Sequence, residues 1–263
     1  MGLRGNKVRK MLTFISVVEA IFVAAFITIL VNFRFLMYPL FPRLNPVVSA
    51  KRLTLRGNTL FISDLHLRSS QSFSYAKNLR HFLEINSVSN LIIDGDFFDT
   101  PEDGQEILST SRIEGGVLNV LGLKGSSVNV FWVVGSPPHD PAELANEGKD
   151  SGGVAVLGDC VIIRCGSLEL MVYHGHDMSN RGVYGHLWDR FVSRLSLERT
   201  WRRFANVGEE IWVIFGHTHI PGIDERSRVA NCGGWSTSPT VRPSGTGIFI
   251  SEGEDHPKLV SIV

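Results

Sequence analysis

Cysteine is scarce in this chain: three among 263 residues, none of them in a Cys-x-x-Cys pair. An odd count cannot pair completely. Cys160 and Cys165, five apart in a β-rich stretch, point to opposite faces of a strand and cannot bridge each other there. A disulfide scaffold and an all-thiolate metal site are excluded. Net charge is absent too, since 26 basic and 26 acidic residues cancel. There is no internal repeat and no low-complexity tract. A 43% hydrophobic and 10% aromatic content is more than a disordered chain carries, and the length suits one large or two small domains.

The zero is made of unequal parts. Residues 1–50 hold six bases and one acid, Glu19, a balance of +5; residues 51–263 keep 20 bases and 25 acids, or −5. An acidic domain repels phosphate backbones unless it has a local basic stripe or bound metal, so nucleic acid is not the expected partner. The basic segment 1–10 precedes the longest apolar run, residues 11–33, whose only charge is Glu19. At about 1.5 Å per residue a helix of this length crosses a roughly 30 Å hydrocarbon core. It exceeds the roughly 7–15-residue core of a signal peptide, and no small-residue cleavage site follows closely. The expectation is a single-pass transmembrane helix. Basic residues on both sides nearly balance; the compact N-terminal cluster favours an inside N-terminus with the domain outside.

Pro39, Pro42 and Pro46 mark residues 34–50 as a linker that resists helix and central strand, which leaves residues 51–263 as the domain. There, short β-rich runs alternate with helical stretches: TLFIS, a helix around 75–87, NLIID, helical material at 103–123, VNVFWVV, and three strands at 154–157, 160–165 and 168–173. A long helical segment at 183–206, IWVIF and several short strands follow. The pattern predicts a layered α/β domain.

The chemistry lies where strands end. TLFISDLHL delivers Asp64 and His66, at i and i+2 on one face of an extended segment. NLIIDGDFFD delivers Asp96 and Asp99, with Gly95 permitting close backbone approach. WVVGSPPHD ends in His139 and Asp140, LMVYHGHD in His174, His176 and Asp177, and WVIFGHTH in His217 and His219. Asp94, Asp150 and Asp159 read as solvated surface charges, His81 and His256 as surface imidazoles, Asn231 and Gly233–Gly234 as a turn, and Trp235 as core. Mixed imidazole and carboxylate donors suit Mn²⁺, Fe or Zn²⁺.

In order, SDLHL, GDFFD, a GNHD-like element, HGH and GHTH resemble the calcineurin-like metallophosphoesterases over about residues 59–235. The resemblance implies a four-layer α/β/β/α metallophosphoesterase sandwich with two divalent metal ions, Mn²⁺ foremost, at one rim. It implies that Asp64, His66, Asp96 and His219 hold the first ion. Asp96 then bridges to a second, held also by His174 and His217. Asp99, His176 and Asp177 are implied as ligands or orienting groups. One element departs from the pattern: in place of Gly-Asn-His-Asp stands Gly135-Ser136-Pro137-Pro138-His139-Asp140. Two residues are added and the Asn ligand is gone. Ser136 could offer a weaker oxygen, and His139 could act as general acid, orient a phosphate, or ligate.

Between HGH and GHTH, Arg190, Arg194, Arg202 and Arg203 lie among aromatics in an amphipathic basic pattern. It reads either as a core-packed helix with a solvated arginine face or as a lid whose arginines hold phosphates while its aromatics meet lipid. Within the family the chain is similar to the UDP-2,3-diacylglucosamine pyrophosphate hydrolase branch. The expected function is a membrane-anchored phosphoesterase using metal-activated water on a phosphorylated small-molecule or lipid-linked substrate. The alternative is a catalytically weakened metal-binding scaffold tethered to the membrane.

Overall fold

Apolar residues at every second position build two facing sheets. The computed structural model describes residues 32–69, 73–114, 116–140, 153–178, 191–236 and 243–263, with positions 18, 21–23, 29 and 188. One sheet comprises β1 (Lys51–Leu55), β6 (Cys160–Cys165), β7 (Leu168–Tyr173), β8 (Trp212–Phe215), β10 (Val229–Asn231) and β9 (Gly222–Asp224), in that spatial order. The other runs β12 (Lys258–Ser261), β11 (Thr246–Ile250), β2 (Asn58–Ile62), β3 (Val88–Asp94), β4 (Asn129–Val133) and β5 (Val154–Gly158). Strands β2 to β5 are parallel, as are β7, β8 and β10.

The period of two decides which layer each side chain enters. Phe61, Ile92, Val161, Ile163, Val172 and Ile214 meet between the sheets. Leu91, Ile93 and Trp132 face the other way, onto helices α1 (Ala76–Ile85), α2 (Pro101–Glu114) and α3 (Gly116–Val120). On the opposite side Ile162, Met171, Val213 and Phe215 pack under Leu197, Trp201 and Ala205 of helix α4 (Ser196–Ala205). The layer order is α/β/β/α. Because β3 is covered on both faces, it is buried almost throughout and its Leu91-Ile92-Ile93 run is apolar without alternation. Cys160 and Cys165 lie in different core layers, as their spacing predicts, and all three thiols are free and buried.

Three expectations need revision. The Pro-spaced segment 34–50 does not hang free. It forms three 3-10 turns, at Arg34–Met37, Pro42–Leu44 and Pro46–Ser49, and buries Phe35 and Tyr38 in the same cluster as Trp201. The helical segment expected at 183–206 is interrupted: Trp188 and Phe191 are helical, but helix α4 begins afresh at Ser196, because the buried Leu195 before it is left-handed (φ 59°) and turns the chain. Much of the segment before it, 179–187 and 189–190, lies outside the described residues, as do Arg190 and Asp150. Strand β1, KRLTL, escaped the sequence reading because its first residues are exposed. Residues 1–10 and most of 11–33 also lie outside the described residues, and among those described no helix is long and apolar enough to cross a membrane.

Candidate metal centre

Register brings the donors together. Ile62, Ile93 and Trp132 stand level across β2, β3 and β4, and Val172 is level with Ile214 across β7 and β8. The chain therefore leaves five strands at one rim, and each exit carries acids or imidazoles. Neighbouring exits are tied by their main chains: Asp64 N donates to Gly95 O, His66 N to Asp96 O, Gly95 N to Val133 O and Gly216 N to His174 O.

Two triads result. Asp64, His66 and His219 form one; Asp96, His174 and His217 form the other; in each the donor atoms lie within 4.8 Å of one another. His219 Nε2 is 3.0 Å and His174 Nε2 3.9 Å from Asp64 Oδ1, while His174 Nε2 is 3.2 Å from Asp96 Oδ2. All six residues expected as ligands thus converge. The backbone marks the same residues: of nine non-glycine residues with positive φ among the described residues, five are Asp64, His66, Asp96, His217 and His219. A left-handed non-glycine residue costs about 1–3 kcal/mol, held only where the surroundings over-determine it. Glycine is required underneath. A Cβ on Gly95 (φ +70°) would stand 2.4 Å from the His174 ring, and one on Gly216 1.8 Å from Ser63 Oγ.

The donor set fits a cation. Asp64 Oδ1 and His174 Nε2 are buried and have no hydrogen-bond partner outside the two triads, an arrangement normally costly for ionisable atoms. Burial alone would raise the Asp64 carboxyl, but His219 and His174 outweigh it and hold it at about 2. Asp96 is likewise driven well below the ordinary range, burial being overcome by His174. Conversely, His174 and His219 are pushed up against burial by Asp96 and Asp64. Each buried carboxylate is thus held toward its ionised form by the imidazoles beside it.

Around the triads, each remaining candidate has a defined place. Ser136 N and Oγ both donate to Asp96 Oδ1, at 2.8 and 2.6 Å. His139 Nδ1 lies 2.6 Å from Asp99 O; a carbonyl only accepts, so Nδ1 carries the hydrogen and Nε2, 3.9 Å from Asp96 Oδ2, is the basic nitrogen. The His139 and His66 rings meet edge-on with centroids 4.5 Å apart. Asp99 bonds Arg68 Nε at 2.8 Å and stands 3.8 Å from His66 Nδ1, behind the imidazole rather than in the triad. With His66 and His139 it forms a third, more exposed donor group. His176 is outside all three groups, and burial together with His174 holds its pKa near 3. Asp177 points away, to Tyr38 Oη and Trp201 Nε1, because its neighbours on α4 and the 34–50 segment supply the donors.

The arginines sit elsewhere. Arg202 donates to the carbonyls of Gly208, Glu209 and Ile211, and Arg199 pairs with Asp224 at 3.0 Å. Arg194 borders a cleft of about 840 Å³, and Arg202 and Arg203 one of about 670 Å³; no member of the triads lines either.

Several working residues were not singled out by the sequence. Asp94, read as solvated, is fully buried with both carboxylate oxygens unbonded, and burial raises its pKa well above normal. The signal was available: it has the parity of Ile92, which faces the inter-sheet core. Asp140 is buried and accepts from the main-chain N–H of Phe97, Phe98 and Gly135 and from Trp132 Nε1. Glu198, also buried, accepts from Thr218 Oγ1 at 2.8 Å and Asn231 Nδ2 at 3.0 Å, bracing the residue between His217 and His219. Asn231 also donates to Gly216 O at 2.7 Å, so it is a brace for the histidine turn as well as part of its own.

No protein-family model matches the chain, and no curated protein matches it. Among solved structures it is similar to a predicted phosphoesterase from Streptococcus pneumoniae TIGR4 (13% identity, 78% of this chain and 97% of that one, TM-score 0.39). It is similar also to Vps29 from Entamoeba histolytica complexed with Zn²⁺ (16%, 78% and 99%, 0.43). A third is Yfce, a phosphoesterase from E. coli (14%, 78% and 100%, 0.39). At such identities and TM-scores the likeness decides nothing about chemistry, which rests with the donor atoms.

Proposed function

We propose that the chain is a metal-dependent phosphoesterase with a dinuclear centre, anchored to a membrane through residues 11–33. The observation that carries the catalytic part is the meeting of two acid–imidazole triads around buried donor atoms with no hydrogen-bond partner outside the triads. Asp64, His66 and His219 would hold one ion, His174 and His217 the other, with Asp96 shared; Mn²⁺, Fe and Zn²⁺ all suit such donors. Bound there, the pair would acidify a water and stabilise charge on the attacking and leaving oxygens of an in-line displacement at phosphorus.

The chain's own residues do the rest. Ser136 fixes the Asp96 carboxylate through two hydrogen bonds and leaves its second oxygen toward His174. Asp99 and Arg68 brace His66 from behind. His139, oriented by the Asp99 carbonyl and partly open to solvent, can take up a proton from solvent at Nε2 and then pass it to a leaving oxygen. The apolar run and the resemblance to the UDP-2,3-diacylglucosamine pyrophosphate hydrolases favour a lipid-linked phosphoester or pyrophosphate as substrate, with the domain on the outer side.

A second reading has one observation behind it. Ser136 Oγ stands where the family has an Asn ligand, but it is spent on Asp96, which favours a weakened metal-binding scaffold. Metal analysis with a panel of phosphoesters separates the two, with Asp96→Ala as control. Two Mn²⁺ per chain with metal-dependent turnover support the enzyme. A stoichiometry that stays at one under saturating Mn²⁺ overturns the dinuclear centre, and two ions without turnover on any ester favour the scaffold.

A further inference from the structure

Water-exposed apolar side chains are common when scattered and informative when clustered. Among the described residues fifteen large hydrophobic side chains are exposed, and twelve belong to residues 21–48 or 188–204. The exceptions are Ile85, Leu259 and Val263. The two stretches touch: the Phe33 and Trp188 rings lie 5.7 Å apart and those of Phe35 and Phe204 5.6 Å.

The turns at 34–50 are fixed to the domain from within, by Phe35 and Tyr38 in the core under α4 and by Asn45 Nδ2 donating to Ala205 O at 2.8 Å. Yet the same turns leave Leu40 72%, Phe41 53% and Val48 70% exposed, and the facing stretch leaves Phe191 80% and Val192 61% exposed. A segment held this firmly has no conformational reason to show its apolar side chains to water. Charge narrows the occupant. From residue 20 to residue 63 the chain has no acid, while Arg34, Arg43, Lys51, Arg52 and Arg56 fall within that span. The surface also begins at Phe33, where the apolar run ends.

We infer that residues 40–48, with Trp188, Phe191 and Val192, form one interfacial surface that beds into the headgroup–acyl boundary of a bilayer containing anionic lipids, so that the domain is held against the membrane in a fixed orientation rather than swinging on a tether. Apolar side chains enter the boundary and flanking arginines meet lipid phosphates, the division of labour of amphipathic interfacial segments. This rests on the membrane part of the reading above and is independent of the metal centre. Asp177, bonded to Tyr38, lies three residues beyond His174, so the surface is mechanically continuous with the loop that carries a metal donor.

The test uses the full chain reconstituted into phosphatidylcholine vesicles with and without phosphatidylglycerol. Nitroxide labels are placed at Leu40→Cys, Phe41→Cys, Val48→Cys and Phe191→Cys, and at Ile85→Cys as an exposed apolar control. The native thiols are buried, and the unsubstituted chain checks that they stay unlabelled. Flotation is measured first, then collision of each label with oxygen and with a water-soluble nickel chelate. The expected result is an oxygen-to-nickel ratio several times higher at the four sites than at Ile85, rising with phosphatidylglycerol. If the chain floats and all labels read water, docking is overturned and the anchor stands; if it does not float, the anchor falls as well. Labels shielded from both reagents mean contact with a second copy, which also overturns the proposal.

Discussion

The two halves of the candidate metal centre are braced in different ways. On the side of β2, β3 and β4, the loops that carry Asp64, His66, Asp96 and His139 hold each other through main-chain hydrogen bonds, with Asp140 gathering three N–H groups and an indole beneath them. On the side of β7 and β8, His174, His217 and His219 are steadied from outside the sheet, by Glu198 on α4 acting through Thr218 and Asn231, while Asp177 ties the His174 loop to Trp201 and Tyr38. The first half is braced mainly by its own loops and is self-contained in that sense, with the His217 N–H on Asp64 Oδ2 and His174 Nδ1 beside Asp94 O as its ties to the second. The second depends on a helix and on residues 34–50, and so it is the half that anything bound outside the domain can reach.

Damage to the self-contained half is expected to be the more global. Asp140→Ala strips four donors of their buried acceptor; at about 1–3 kcal/mol per unsatisfied group, partly relieved by relaxation, the loss should reach about 3–5 kcal/mol in urea unfolding. A loss under about 1 kcal/mol would mean that the loops do not depend on it. Glu198→Ala should cost less, about 2 kcal/mol, but weaken Mn²⁺ binding by roughly 10–100-fold, as loss of a group that orients a ligand does. Glu198→Gln keeps an acceptor for Thr218 and Asn231 and should bind within a few-fold of the parent. Equal metal affinity in the Ala and Gln variants would reduce Glu198 to a packing residue and erase the distinction between the halves.

The donors of both halves were legible. Asp64, His66 and Asp96 follow apolar runs directly, and strand order with a period of two is enough to place them at one rim. His174, His217 and His219 were legible for the same reason, but their braces were not. Glu198 looks like one more charge in an arginine-rich helix; only its spacing from Trp201 and Ala205, on the buried stripe of α4, betrays it. Prolines at 39, 42 and 46 suggested a linker because they forbid helix and central strand. They do not forbid 3-10 turns, and packing on Trp201 decided the matter. Asp94 was misjudged by residue type: an acid at the end of a strand is usually solvated, but here parity turns it into the core.

Protons offer a finer comparison. Asp96 and Asp64 hold His174 and His219 protonated above the usual imidazole range, so an incoming cation must displace those protons. Metal affinity should rise with pH across and above that range, with proton release visible by calorimetry in buffers of different ionisation heat. In the externally braced half, burial raises the Asp177 carboxyl to about 7 from 3.8. A folded-state pKa above the unfolded one stabilises fully below about 3.8 and loses that contribution as pH climbs to 7, at about 1.4 kcal/mol per unit. Stability should therefore fall by a few kcal/mol between pH 4 and 7, and Asp177→Asn should flatten the fall. An unchanged slope in that variant would assign the fall to other groups.

The smallest effects concern the arginines of α4 and separate bracing from recognition. Arg202 donates to the main-chain carbonyls of Gly208, Glu209 and Ile211, so Arg202→Ala should lower stability by about 1–2 kcal/mol. Arg203, exposed on the same helix, should change stability by no more than about 0.5 kcal/mol when replaced by Ala. If α4 serves the centre only by holding Glu198 in place, neither change should alter the ratio of turnover on a lipid-linked pyrophosphate to turnover on a small chromogenic ester. A selective loss on the lipid substrate in Arg203→Ala would give the helix a second, substrate-facing role, and would make the externally braced half responsible for specificity as well as for holding its ion.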